Sequence, residues 1–154
     1  DVYKRQVFGP RQTPEGAYAA VIPVFIDGII NNNSPTINGN GEQTRDFSYI
    51  DNVVEANILS LFGESKNSYG EVYNVACGET LSVNTLFSII KETISEYVGD
   101  ELVIVAKYGP DRAGDIKDSL ADLSKIKNDL GYIPKVFAKE GMAKTCKWHI
   151  SNRS

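Results

Sequence analysis

The sequence predicts an α/β fold, and three observations predict it. Apolar residues recur at helical spacing in several separated segments, with short β-branched or aromatic runs between them. No two-residue hairpin turn joins paired strands, which argues against an all-β arrangement. No internal repeat or low-complexity tract interrupts the 154 residues, a length suited to one domain with one modest core.

The elements follow in chain order. Asp1 to Gln6 is polar and leads directly into Val7-Phe8-Gly9-Pro10, which reads as a strand ending in a turn. A native domain rarely opens on the last residues of a strand. The peptide DVYKRQ is also the translation of a transposon end used in preparing sequencing libraries. Residues 1–6 are therefore expected to be foreign to the protein, residues 7–154 to be native, and the true chain to continue upstream. Tyr18, Val21, Ile22, Phe25, Ile26, Ile29 and Ile30 recur as one helix face, and Pro23 either kinks this helix or marks its first turn. Thr36-Ile37 reads as a short strand running into the turn Asn38-Gly39-Asn40-Gly41. Phe47, Tyr49 and Ile50 read as another strand. Asp51 or Asn52 then caps a helix carrying Val53, Val54, Ile58, Leu59, Leu61 and Phe62, closed by Gly63.

Val72 to Ala76 reads as a buried parallel strand. Ser82 is placed to cap the longest helix, whose apolar face is Leu86, Ile89, Ile90, Ile94 and Val98, with Gly99 after it. Leu102–Val105 reads as a strand and Arg112–Asp118 as a charged loop. Two further helices are expected near 123–130, ended by Gly131, and near 140–150.

Bulk chemistry narrows the function. With 42% hydrophobic and 23% charged residues the composition is that of a soluble globular protein. The net charge of -4 argues against broad nucleic-acid or membrane-surface binding, which needs a basic footprint, but leaves room for an anionic small ligand held by a few cations. Cys77 and Cys146 are far apart and read as free thiols in a reducing compartment. The single histidine, His149, has no partner ligands around it in sequence and reads as a structural surface residue, so no metal site is expected. No apolar run approaches the roughly 20 residues a membrane helix requires. A cytoplasmic protein is expected.

Three segments carry possible chemistry. Gly39-Asn40-Gly41 follows a strand as a dinucleotide loop would, but Thr44 stands where the third glycine should fall and a strand follows, so that fingerprint is rejected. A plain glycine turn explains the glycines but not Arg45 beside an aromatic strand. Arg112-Ala113-Gly114-Asp115 offers a guanidinium fork that fits phosphate and a carboxylate that can accept from paired hydroxyls. Taken alone it is equally a solvated ion pair worth little. Gly16 to Pro23 sets small residues at a helix start, where a flat ring can lie against the backbone; close helix packing explains them as well. No nucleophile–base pair stands out.

Together the strings VFGPRQ, GAYAAVIPVF, INGNGEQTRDFSYIDNVVEANI, VYNVACGETLSVNTL and RAGDIKDSLADLSKIKNDLGY, with Pro134 followed by Glu140-Gly141, change the picture. In this order they resemble the C-terminal half of extended short-chain dehydrogenase/reductase proteins. The resemblance runs from Val7 to about Ile150 and is nearest to the UDP-N-acetylglucosamine 4-epimerase group. It implies the substrate-binding half of such a protein, with the last strand or strands of an otherwise missing Rossmann sheet. The family's Gly-rich NAD loop and its Tyr-x-x-x-Lys pair are not in this sequence. The family removes hydride from sugar C4 to NAD, lets the 4-keto sugar rotate, and returns hydride to the other face.

The resemblance assigns this half the grip on a UDP-sugar. Ala20 and Val21 meet the uridine, Thr36 and Asn38 flank uracil or ribose, Arg45 and Arg112 clamp the diphosphate, and Asp115 accepts from the ribose. Ser119 falls where the family sets the room around the sugar's 2-substituent. A small residue there leans toward UDP-GlcNAc and UDP-GalNAc. Gln6 stands where the family has a substrate-contacting Asn. NAD held by the missing domain, a homodimeric parent and an inactive isolated fragment are further implications. The alternatives are another extended member (a UDP-glucuronate epimerase, a decarboxylase or a dehydratase) and a non-catalytic nucleotide-sugar-binding module.

Overall fold

The structure is a computed structural model that describes residues 6–15, 20–63 and 69–152. Helices dominate, and every strand is two or three residues long. The order is β1 (Val7–Phe8), α1 (Val21–Ile30), β2 (Thr36–Asn38), β3 (Thr44–Arg45), β4 (Ser48–Tyr49), α2 (Ile50–Phe62), β5 (Leu81–Ser82), α3 (Val83–Val98), β6 (Lys107–Gly109), β7 (Asp118–Ser119), α4 (Ser124–Leu130) and α5 (Ala138–Ser151). The α/β class expected from the sequence is the one observed.

Among the described residues the strands form three small sheets. β1 pairs in parallel with β4, Val7 opposite Ser48. β2 pairs in parallel with β6, Asn38 opposite Gly109. β3 lies between β5, antiparallel to it, and β7, parallel to it, with Arg45 opposite both Leu81 and Ser119. The last two sheets gather the charged and polar segments singled out in the sequence.

The main core lies among α1, α3 and α5. Leu86, Ile90 and Ile94 form the buried stripe of α3, at the helical spacing its sequence shows. Phe25 of α1 meets Phe87 of α3 edge to face, with centroids 5.6 Å apart. Phe8 and Tyr49 pack likewise at the β1–β4 pair. Gly141 of α5 permits that contact, because a Cβ there would lie 2.8 Å from the Phe8 ring and 2.9 Å from the Tyr49 ring. A smaller cluster of Ala56, Ala76, Leu123, Ile126 and Tyr132 sits between α2 and α4.

Helix ends follow the sequence at four places. The Ser82 hydroxyl accepts from the Thr85 N–H at 3.1 Å. Gly99 and Gly131 close α3 and α4 in the left-handed region. Pro23 occupies the first turn of α1, where its missing N–H costs nothing. Tyr18, expected on that helix, lies outside the described residues. Other expectations need correction. Neither Asp51 nor Asn52 caps α2: the helix starts at Ile50 after an extended Tyr49, and Ile50 is therefore helix and not strand. Asn52 is buried and its amide serves residues 135–136, donating to the Val136 carbonyl at 2.6 Å and accepting from the Lys135 and Val136 N–H groups. Gly63 ends α2 in an extended conformation.

Two expected strands are absent. Residues 71–75 join no sheet among the described residues, and Val72 is 83% exposed. A strand needs a partner ladder, and side chains serve this backbone instead. Lys125 Nζ donates to the Val72 carbonyl and the Tyr132 hydroxyl to the Ala76 carbonyl. Leu102–Val105 keeps a two-residue alternation, with Ile104 buried and Val103 and Val105 in solvent, but pairs with no strand among the described residues. Its ladder begins beyond it, at Lys107. His149 is also not a surface residue. It is half-buried, packs edge to face on Trp148, and its Nε2 is buried with no partner among the described residues.

Candidate functional site

A hollow of about 190 Å3 opens where α1, β2, β3 and the 110–117 loop meet. Phe25, Ile37, Phe47 and Val83 give it an apolar side. Val21, Thr36, Asn38, Arg45, Arg112 and Asp115 complete it, together with Gln6 and Gln43. The structure thus brings together six of the eight residues expected to grip a ligand. Two stand apart. Ala20 is the extended residue before α1 and does not line the hollow. Ser119 lines a neighbouring hollow of about 320 Å3 with Asp46, Ser48, Asn74 and Asp122. Gln6 lines both, so the two spaces adjoin.

The segment 45–48 explains how the two spaces are built. Extended backbone turns successive side chains to opposite faces. Arg45 and Phe47 face the first hollow, and Asp46 and Ser48 the second. Asp46 is only 4% exposed, and its two carboxylate oxygens accept from the Cys77 and Gly78 N–H groups, each at 2.9 Å. That buried clamp fixes residues 76–78 under the second hollow. No sequence signal marks it, because Asp46 and Cys77 are distant along the chain and the bonds use only backbone donors.

Arg45 is held on three sides. Its Nη2 lies 2.6 Å from Asp115 Oδ1, and its Nη1 donates to the Thr44 and Lys117 carbonyls at 2.7 and 3.2 Å. The Thr44 hydroxyl donates to Asp118 Oδ1 at 2.8 Å. The loop that carries Arg112 is therefore strapped to β3, and Gly114 gives the turn its positive φ. Arg112 is exposed at the hollow's edge and forms no ion pair among the described residues. Two guanidinium groups against one carboxylate make this rim suited to an anion. A larger, open space of about 840 Å3 continues outward past Tyr108, Asp111 and Lys117, sharing Asn38, Gln43, Arg112 and Asp115.

Gln43 escaped the sequence reasoning. Its Nε2 donates to the Asn38 carbonyl at 2.9 Å, which ties the two ends of the glycine turn together. Its place between that turn and Arg45 was the available signal. The cysteines offer no chemistry here. Burial pushes the Cys77 thiol up, and pushes Cys146 up to about 12, so both stay protonated and are poor nucleophiles. The described residues also hold no group of three His, Cys, Asp or Glu side chains placed for a metal. None of their helices is long and apolar enough to cross a membrane.

The α/β fold matches the C-terminal portion of extended short-chain dehydrogenase/reductase epimerases. Residues 6–145 match the family model described as GDP-mannose 4,6 dehydratase, and the chain belongs to that family. A dTDP-D-glucose 4,6-dehydratase from Homo sapiens is 38% identical over 150 residues, which are 95% of this chain and 40% of the human protein. Among solved structures, a UDP-N-acetylglucosamine 4-epimerase from Methanobrevibacter ruminantium, in complex with UDP-N-acetylmuramic acid, is 44% identical with a TM-score of 0.81, covering 96% of this chain and 44% of that one. A UDP-glucuronic acid 4-epimerase from Bacillus cereus, in complex with UDP-glucuronic acid and NAD, is 29% identical with a TM-score of 0.78, covering 95% and 43%. The chain thus spans less than half the length of each of these proteins.

Among the described residues, the glycine turn does not fit NAD itself. Gly39 and Gly41 lead into β3, where a dinucleotide pyrophosphate would need the start of a helix.

Proposed function

We propose that this chain is the UDP-sugar-binding portion of a longer, cytoplasmic, NAD-dependent 4-epimerase, with UDP-GlcNAc and UDP-GalNAc as its substrate pair. The observation that carries this is the convergence of Arg45, Arg112 and Asp115 on one hollow with Val21, Thr36 and Asn38. In this proposal the apolar side takes the base, the two guanidinium groups take the diphosphate, and Asp115 accepts from the ribose. The sugar lies beyond, toward Ser119, Asn74 and Asp122. Binding energy is placed on the part of the substrate that does not react, so the sugar can turn while the nucleotide stays fixed. Ser119 leaves room for a 2-acetamido group. Hydride chemistry and NAD belong to the remainder of the longer protein, which is a homodimer in this proposal, and residues 1–6 are foreign to it, so that Gln6 stands in both hollows in place of a native residue.

The test is turnover by the full-length protein of UDP-GlcNAc, UDP-glucose and UDP-glucuronate, followed by separation of the C4 epimers. Conversion of UDP-GlcNAc to UDP-GalNAc is expected; no conversion of any UDP-N-acetylhexosamine overturns the assignment. A 4,6-dehydratase is the second reading, favoured by the family model and the human relative. It is recognised by a 4-keto-6-deoxy product.

A further inference from the structure

Asn84 is the second residue of α3 and does not line the inner hollow. Its backbone N–H donates to the Gly41 carbonyl at 3.0 Å. Its Nδ2 donates to the Asn40 carbonyl at 3.0 Å and to Glu42 Oε1 at 2.6 Å. Its Oδ1 accepts from the Tyr108 hydroxyl at 3.0 Å. One amide therefore ties the glycine turn to β6, with donors and acceptor all engaged. The neighbouring Val83 N–H donates to the Gln43 carbonyl at 3.2 Å, and the Thr85 N–H goes to Ser82. The N–H groups that a helix start leaves over are thus committed to the turn and the cap, not offered to an anion.

The turn is shaped to receive that amide. Gly41 has φ +75°, and a Cβ there would run into the Asn84 side chain. The turn carries Asn38 on one side and Gln43 on the other, joined by their own hydrogen bond. Both line the inner and outer hollows. Arg45, by contrast, is fixed from β3 and the 112–118 segment, without Asn84.

We propose that Asn84 is a positioning residue for nucleoside recognition: by locking residues 39–42 against Tyr108 it sets where Asn38 and Gln43 meet the nucleoside of a bound nucleotide. The inference rests on the nucleotide-sugar function proposed above. Asn84 does not touch the ligand, so its loss acts on the nucleoside and spares the diphosphate.

Calorimetric titration of the full-length protein with UDP and, separately, with inorganic diphosphate tests it. Asn84→Asp keeps the shape but turns an oxygen toward the Glu42 carboxylate and the Asn40 carbonyl. The UDP affinity is expected to fall about tenfold, the diphosphate affinity to stay as it was. Adding Glu42→Gln to that variant removes the repulsion and restores most of the UDP affinity. Tyr108→Phe, a milder change that keeps the ring, weakens UDP about threefold. Unchanged UDP binding in both single variants overturns the inference, as does equal weakening of both ligands, which marks a merely structural residue. A wild-type protein that binds no UDP overturns the proposed function, and this inference with it.

Discussion

At the scale of single residues, the two arginines have different work, and their removal separates it. Arg112 stands at the rim with no ion pair among the described residues, whereas Arg45 also straps the 112–118 loop through Asp115 and two carbonyls. Arg112→Ala in the full-length protein should remove one charge-assisted phosphate contact, about 1.5–3 kcal/mol of UDP affinity, with the melting temperature unchanged. Arg45→Ala should lose as much affinity and also loosen the loop, seen as faster amide exchange at residues 112–118. Unchanged UDP affinity in both variants would remove the basis of the site. Arg45, Arg112 and Asp115 were legible in the sequence because guanidinium and carboxylate chemistry is visible in the letters. Asp46, Asn52 and Asn84 were not. Their bonds join residues two dozen or more positions apart, and many of them end on backbone groups that every residue has.

At the scale of elements, helices were read more truly than strands. The stripe Leu86, Ile90, Ile94 needs only the helix itself to be recognised, and its cap at Ser82 is local. A strand is defined by its partner. Val72–Val75 and Leu102–Val105 have strand composition, yet no ladder reaches them, and Lys107–Gly109 pairs because Thr36–Asn38 lies alongside. Packing between elements is likewise invisible until the chain is folded. Gly141 in α5 reads as a weak helix residue, but its absent side chain is where the Phe8 and Tyr49 rings rest. Gly141→Ala should therefore destabilise by about 1–3 kcal/mol through overpacking, in spite of alanine's better helix propensity. Denaturant unfolding measures this, and a stabilised variant would show that the rings move aside without cost.

At the scale of the whole molecule, stability has a pH dependence with a definite sign. Burial holds His149 below its ordinary pKa of 6.5, with Asp27 opposing only in part. Between the lowered folded value and 6.5 the unfolded chain binds more protons than the folded one. Stability should then fall as pH drops through 6.5, and His149→Leu should flatten that slope. A separate loss at lower pH is expected as Glu71 and Asp122, both held below the carboxylate range by hydrogen bonds, become protonated. Equal slopes from pH 7 to 5.5 in wild type and variant would remove His149 from the account.

The shape of the surface sets the behaviour of the chain on its own. α2 is apolar on two sides. Asn52, Val53 and Ala56 face inward, while Val54, Ile58, Leu61 and Phe62 form an outer stripe, Leu61 and Phe62 being 75% exposed. A stripe of that kind on a free surface favours association. The isolated 154-residue chain should self-associate at micromolar concentration and bind a hydrophobic dye, and Leu61→Lys with Phe62→Lys should restore a monomer in sedimentation without loss of helix content. Persistence of the oligomer in that double variant would move the sticky surface elsewhere, to the exposed Val103 and Val105 beside α3.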